Sequence, residues 1–213
     1  MANYKFADNI YIAPTPAGSF YAVSSPAADP LRNLLLALLQ QEETPKPVIG
    51  QLIDWTGSGN VESTLSILQQ AQDLAWIEGL EEPLLLPSSG FGSMIEILLA
   101  SLSTSGKALL VDDAGCAIAR SGFDPETAEM LSALSADLVA IQDRHEKRLE
   151  KHFGLTIHGW GAMDSAGSSR IGTWPLYIAG KRLLIVILGE PRFNCPEFTL
   201  LIWSLIRRFS RPS

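Results

Sequence analysis

The chain has 213 residues, of which 46% are apolar and 18% charged, with a formal net charge of −7. This composition supports a packed core and excludes an intrinsically disordered protein, while the length suits two small domains. The longest apolar runs, residues 34–39 and 183–188, are six residues each, far short of the roughly 20 that cross a bilayer. With no secretory signal at its N-terminus, the chain is predicted to be cytoplasmic.

Charge divides the chain into two parts. Residues 1–106 contain three basic and eleven acidic side chains, whereas residues 107–213 contain 13 basic and 12 acidic ones. The segment 87–93, rich in Pro, Ser and Gly, lies between the two parts and has the composition of a linker. We therefore predict one domain over residues 1–88 and a second over residues 89–213.

Three helices and a strand pair are predicted in the first domain. Asp29 and Pro30 cap and begin a helix over residues 29–41, a second helix covers residues 48–55, and Asn60 caps a third. Residues 76–79 and 84–86 are predicted to form a short strand pair. This order resembles a winged helix-turn-helix in its architecture.

Binding of duplex DNA by this winged-helix-like domain would need cations that neutralise phosphates. There is no Lys or Arg between Pro47 and Gly106. The domain is therefore predicted to dock onto protein. Trp55 and Trp76 are interpreted as core residues, with an exposed docking role as the alternative.

The second domain is predicted to alternate helices and strands. Ser93 caps a helix over residues 94–103, residues 107–122 form a hairpin around an acidic-Gly turn, and Asp124 caps a long helix that runs to about residue 153. Three strands (residues 155–163, 170–179 and 182–190) and a closing helix (residues 196–209) follow. The apolar positions of the long helix are Met130, Leu131, Leu134, Leu138, Ile141 and Leu149.

The hairpin at residues 107–122, together with the order and lengths of the elements around it, resembles the roadblock/dynein-light-chain family over about 115 residues. The resemblance implies an α+β fold with a five-stranded antiparallel sheet. It also implies a homodimer paired through the long helix and an adjacent strand, which presents a platform to small Ras-like GTPases or to motor and scaffold subunits. Two features depart from the family: a polar insert at residues 160–170 and a strongly amphipathic closing helix.

Histidines offer little support for catalysis. His145 and His152 lie about 10 Å apart on the long helix, which is too far for one zinc ion to bridge directly, and they are interpreted as part of a solvated helix end. His158, Asp164 and Ser165 contain the residue types of a hydrolytic triad, but no G-x-S-x-G motif accompanies them. Hydrolase chemistry is not predicted.

Other candidate sites have simpler interpretations. Gly90, Phe91 and Gly92 complete no phosphate-binding motif and are assigned to the linker. Asp112 and Asp113 are turn formers and not cation ligands. Cys116 and Cys195 have no metal-ligand spacing and are interpreted as small core residues.

Five further arginines and one loop have open interpretations. The positive charges of Arg207 and Arg208, with Arg211 just beyond, stabilise the C-terminal end of the closing helix through its macrodipole. The alternative is that they contact an acidic partner. Arg120 and Arg170 are potential arginine donors to a GTPase, with no role assigned. The polar loop at residues 164–170 could close over a small ligand, which makes a sensor the third hypothesis.

The leading interpretation is a non-enzymatic homodimeric adaptor that binds a small GTPase or a subunit of a larger machine. No catalytic, cofactor-binding or metal-binding residue is predicted, and nucleic acid is not the expected partner. The alternative is a winged-helix transcription regulator that dimerises, or senses a ligand, through its α/β domain.

Overall fold

The computed structural model describes residues 9–86 and 91–210. The chain forms two compact units: the first unit consists of residues 1–89 and 193–213, and the second of residues 90–192. In chain order, the elements are β1 (Tyr11–Pro14), α1 (Pro16–Val23), α2 (Pro30–Gln40), α3 (Ile49–Thr56), α4 (Val61–Asp73), β2 (Ile77–Leu80), α5 (Phe91–Ser101), β3 (Lys107–Asp112), β4 (Ala117–Ser121), α6 (Pro125–Phe153), β5 (Trp160–Met163), β6 (Ser169–Ile178), β7 (Lys181–Leu188) and α7 (Pro196–Phe209).

The three helices predicted in the first unit are confirmed as α2, α3 and α4. Asp29 caps α2 by accepting a hydrogen bond from the backbone N–H of Arg32 at 2.9 Å, and Asn60 caps α4 by accepting one from that of Ser63 at 2.8 Å. Such caps satisfy backbone donors that the first turn leaves unpaired. The helices share an apolar core with β1, whose buried residues are Ile12, Leu31, Leu34, Leu38, Leu52, Leu68 and Ala71.

The predicted strand pair of the wing is wrong. β2 pairs antiparallel with β1, and Leu85 forms an isolated bridge with Glu43. Sequence analysis missed both β1 and α1, and α1 packs closely against the backbone of Trp76, which follows α4. A Cβ atom on Gly18 of α1 would lie 2.1 Å from the carbonyl oxygen of Trp76, so this approach requires glycine.

The closing helix α7 was predicted to complete the second domain, but its contacts lie in the first unit. It packs against α1 and α2. The indole of Trp203 donates to the carbonyl of Gln41 at 2.8 Å, and Arg207 donates to the carbonyl of Gln40 at 2.7 Å. α7 thus provides donors for carbonyls at the C-terminal end of α2, which α2 itself leaves unpaired.

The predicted five-stranded antiparallel sheet of the second unit is confirmed. Its strand order is β4-β3-β7-β6-β5, so β3 and β7 are central and β4 and β5 are the edges. Leu109, Val111, Leu184 and Val186 form one core with α6 residues that include Ala128, Leu131 and Val139. Alternate residues of the central strands therefore bury one face of the sheet under the long helix.

Both helices of the second unit are present, with one shifted start. Asp124 caps α6 by accepting bonds from the backbone N–H of Thr127 at 2.9 Å and from its hydroxyl at 2.7 Å. These two bonds hold the pKa of Asp124 below its usual value. α6 ends at Gly154, whose φ of 62° favours glycine. α5 begins at Phe91, so the predicted cap Ser93 lies inside the helix.

The polar insert at residues 160–170 is a β-hairpin. Trp160–Met163 forms β5, β6 begins at Ser169, and the carboxylate of Asp164 accepts bonds from the backbone N–H groups of Ala166 and Ser168 in the turn between them. The predicted strand over residues 155–163 is shortened to its last four residues. Among the described residues, no helix is long and apolar enough to cross a membrane.

Candidate protein-interaction surface

The long helix α6 exposes an apolar stripe on the side that faces away from the sheet. Met130, Leu134 and Ile141 are 59%, 48% and 40% exposed. At about 100° of rotation per residue, the three side chains lie within about 40° of one another around the helix. We call them the α6 stripe. Sequence analysis grouped them with the other apolar positions of the helix, and the separation of Leu131 from Met130 by a full 100° indicates two apolar faces.

The second half of α6, which contains Ile141, lies beside an open edge of the sheet. The indole of Trp160 in β5 donates to the side-chain oxygen of Gln142 in α6 at 2.9 Å, and the amide of Gln142 donates to the carbonyl of Ile157 at 3.0 Å. Among the described strands, β5 pairs with β6 alone, and its Met163 is 68% exposed. An unpaired edge next to exposed apolar side chains is a surface suited to protein association.

A cleft of about 270 Å³ lies between the second half of α6 and β5. Its lining combines apolar and basic side chains: Ile141, Gln142, His145, Arg148, Leu149, His152, Phe153 and Trp160. The cleft continues the α6 stripe toward β5, because Ile141 belongs to both. The second half of α6 and the edge strand therefore form one continuous surface.

Charge is segregated along α6. Residues 125–139 contain the acidic side chains Glu126, Glu129 and Asp137 and no Lys or Arg. Residues 140–153 contain four Lys or Arg, two His and three acidic residues. Acidic residues near the start and basic residues near the end of a helix also favour its macrodipole. The helix thus presents an acidic half and a more basic half on either side of its centre.

Arg182 of β7 holds α6 and the β3–β4 turn in place. Its guanidinium donates to Asp113 at 2.6 Å and to both carboxylate oxygens of Asp143 at 2.9 Å. Burial alone lowers the pKa of Arg182, but the hydrogen bonds and charges of Asp143 and Asp113 outweigh this effect and raise it above its usual value. A charged network therefore joins α6, which carries the candidate surface, to β7 and to the β3–β4 turn.

The structure gives the catalytic candidates considered from sequence other partners or exposed positions. The carboxylate of Asp164 accepts from Arg170 at 2.7 Å and from the turn backbone, so it is already occupied, and His158 is exposed. Among the described residues, no group of three His, Cys, Asp or Glu is placed to hold a metal ion. His145 and His152 instead line the cleft beside β5.

The remaining candidates are turn, helix-end or exposed residues. Asp112 accepts from the backbone N–H of Ala114 and of Cys116, as a turn former does. Cys116 is exposed, so its interpretation as a core residue is wrong, while Cys195 is half-buried and burial raises the pKa of its thiol. Gly90 lies outside the described residues, and Phe91 and Gly92 begin α5.

Two arginines and two tryptophans have clear contacts. Arg207 pairs with Glu42 at 2.6 Å within the first unit, and Arg170 with Asp164; Arg211 lies outside the described residues. Arg120 is exposed on the edge strand β4. Trp55 and Trp76 pack partly buried against the first unit's core, which confirms their interpretation as core residues.

Comparison with known proteins identifies one similar solved structure. No family model matches the chain, and no curated protein matches it. The crystal structure of a Roadblock/LC7 domain from Streptomyces avermitilis superposes on 55% of this chain and 92% of that domain, with 15% identity and a TM-score of 0.38. Identity and superposition this low transfer no residue roles or partners.

Proposed function

We propose that the protein is a non-catalytic homodimeric adaptor that binds a small Ras-like GTPase or a subunit of a larger cellular machine. The observation that carries this proposal is the continuous exposed surface made by the α6 stripe and the open edge of β5. A two-fold dimer interface uses the same patch on both subunits, and a helix beside an edge strand provides such a patch.

The charge pattern of α6 favours antiparallel pairing of two copies. In that arrangement, the acidic residues Glu126 and Glu129 of one copy face the more basic residues 140–153 of the other, and the apolar side chains meet near the centre. A parallel arrangement would place the acidic halves against each other. Opposite charges across an interface favour one orientation even where each pair contributes little affinity.

The partner class follows from the strand order and the hairpin at residues 107–122, which resemble the roadblock family. DNA regulation is less well supported, since there is no Lys or Arg between Pro47 and Gly106 and the predicted wing hairpin is not formed.

Dimerisation is tested by sedimentation equilibrium on the full chain. Wild type is expected to be a dimer at micromolar concentration, and the double variant Leu134→Lys, Ile141→Lys is expected to be a monomer because it buries two cations at the interface. Val61→Lys changes an exposed apolar residue of α4 and is the matched control. A monomeric wild type, or a double variant that dimerises as well as Val61→Lys, would contradict the proposal.

GTPase binding is tested separately by capture from extract of the source cells. Immobilised wild-type protein is incubated with extract supplemented with either GDP or a non-hydrolysable GTP analogue, and captured proteins are identified by mass spectrometry. A Ras-like GTPase enriched in one nucleotide state is expected. A dimer that captures no GTPase and no machine subunit would leave the dimer standing and reject the adaptor function.

A further inference from the structure

The first unit contains an apolar groove that the proposed function does not use. It has a volume of about 200 Å³ and lies between β1, the end of α2 and the first half of α7. The lining is almost entirely apolar, and its residues are Ala13, Pro14, Pro16, Leu38, Leu39, Thr44, Glu78, Leu84, Pro196, Thr199, Leu200 and Trp203.

The groove is open to solvent, and several of its polar lining groups already have hydrogen-bond partners. Trp203 is held in its wall by the bond from its indole to the Gln41 carbonyl. The hydroxyl of Thr44 accepts from the backbone N–H of Leu84 at 2.9 Å, and that of Thr199 accepts from Ser19 at 3.2 Å. These polar groups are therefore already engaged, and a ligand meets mainly apolar surface. Leu84 is 49% exposed and offers its side chain to an occupant.

One acidic side chain lines this apolar surface, and three more are close to its lining residues in sequence. Glu78 lines the groove, while Glu43 precedes the lining residue Thr44, and Glu81 and Glu82 precede Leu84 by three and two residues. All four are exposed, and none forms an ion pair with any residue of 9–86 or 91–210.

Two described cations lie close in sequence to residues that line the groove: Lys46 follows Thr44 by two residues, and Arg207 follows Trp203 by four. Lys46 donates to Asn9 at 3.1 Å and lies over the ring of Tyr11, and Arg207 pairs with Glu42. The partners of Lys46 are neutral, so this side chain keeps its positive charge, but the four exposed carboxylates outnumber it. A ligand with apolar anchors and flanking positive charge would bury its anchors in the groove and pair its cations with these carboxylates.

We propose that this groove binds a short amphipathic segment of a partner protein whose apolar side chains are flanked by Lys or Arg. The segment's apolar residues lie against Leu84, Leu200 and Trp203, and its cations face Glu78, Glu81 and Glu82. Amphipathic segments recognised in apolar grooves use this division between anchors and flanking charge. The site lies in the first unit and does not depend on dimerisation.

The test uses the full-length protein and two labelled synthetic peptides of equal length, an amphipathic Leu/Lys peptide and its Leu/Glu counterpart. Binding is measured by fluorescence anisotropy at low ionic strength. The Leu/Lys peptide is expected to bind at least about 10-fold more tightly than the Leu/Glu peptide. Equal binding of both peptides, or no binding of the Leu/Lys peptide, would overturn the proposal.

Two pairs of variants locate the binding. Leu84→Gln is expected to weaken Leu/Lys binding about 5- to 10-fold, because a half-exposed leucine no longer offers apolar area to bury. Leu85→Gln changes the neighbouring residue, which is exposed but does not line the groove, and should leave binding unchanged. Equal losses in the two variants would place the peptide elsewhere.

Charge reversal provides the second pair and alters only exposed residues. Glu78→Lys with Glu81→Lys is expected to invert the preference toward the Leu/Glu peptide. Asp54→Lys with Glu62→Lys makes the same change in net charge on α3 and α4 and should retain the preference for Leu/Lys. If both doubles change the preference equally, general attraction to an acidic protein explains the binding and the groove is not a site.

Discussion

At the scale of single residues, one guanidinium joins three elements of the second unit. Arg182 of β7 donates hydrogen bonds to Asp113 in the β3–β4 turn and to Asp143 in α6, and only 20% of its side chain is exposed. Arg170 forms the comparable pair with Asp164, but its side chain is 73% exposed. Solvent and salt screen exposed pairs, so burial separates a structural arginine from an ordinary surface one.

We predict that Arg182→Gln lowers the free energy of unfolding by about 1–2 kcal/mol, because it removes charge-assisted hydrogen bonds to Asp113 and Asp143. Water replaces these bonds only in part, since both carboxylates are half-exposed. Arg170→Gln is the matched control and should cost less than about 0.5 kcal/mol. Urea denaturation at neutral pH measures both. Equal effects of the two substitutions would show that the Arg182 network contributes no more than a surface pair.

At the scale of elements, the structure separates what local sequence determines from what packing determines. Caps at Asp29, Asn60 and Asp124 define where three helices begin, and short continuous apolar runs define β3 and β7, so these elements are predictable. The partner of β2 is not, because Leu84 follows closely enough to suggest a hairpin, whereas β1 is distant in sequence. The exposure of the α6 stripe is not predictable for a related reason: an apolar face predicts burial, but does not say whether the residues that cover it belong to the same chain.

The location of α7 is the largest difference between the predicted and the observed fold, and it leads to a test. Trp203→Phe leaves the Gln41 carbonyl without its donor, which costs about 1 kcal/mol. Hydrogen exchange of the α2 backbone should accelerate about 5-fold while that of α6 stays unchanged. Trp160→Phe removes the indole bond to Gln142 and should produce the reverse pattern. If Trp203→Phe instead accelerates exchange in α6 and leaves α2 protected, α7 belongs energetically to the second unit.

At the scale of the whole molecule, net charge is distributed in a way that suits association. The first unit carries exposed, unpaired carboxylates around its groove, and α6 in the second unit carries opposite charges on its two halves. The first arrangement favours a basic partner and the second favours another copy of the chain. Both surfaces combine apolar area with charge, so apolar burial supplies affinity and charge selects the partner and its orientation.

The orientation of two copies can be determined from salt dependence. If α6 helices pair antiparallel, raising NaCl from 0.05 M to 1 M should weaken dimerisation by about 10-fold, because several exposed pairs of roughly 0.3–0.5 kcal/mol each are screened. Reversal of the acidic half by Glu126→Lys with Glu129→Lys should weaken the homodimer at low salt and invert this salt response. Sedimentation equilibrium measures both proteins. A parallel pairing would bring the two acidic halves together, so a wild-type dimer that tightens with salt would exclude the antiparallel arrangement while leaving the α6 stripe as the interface.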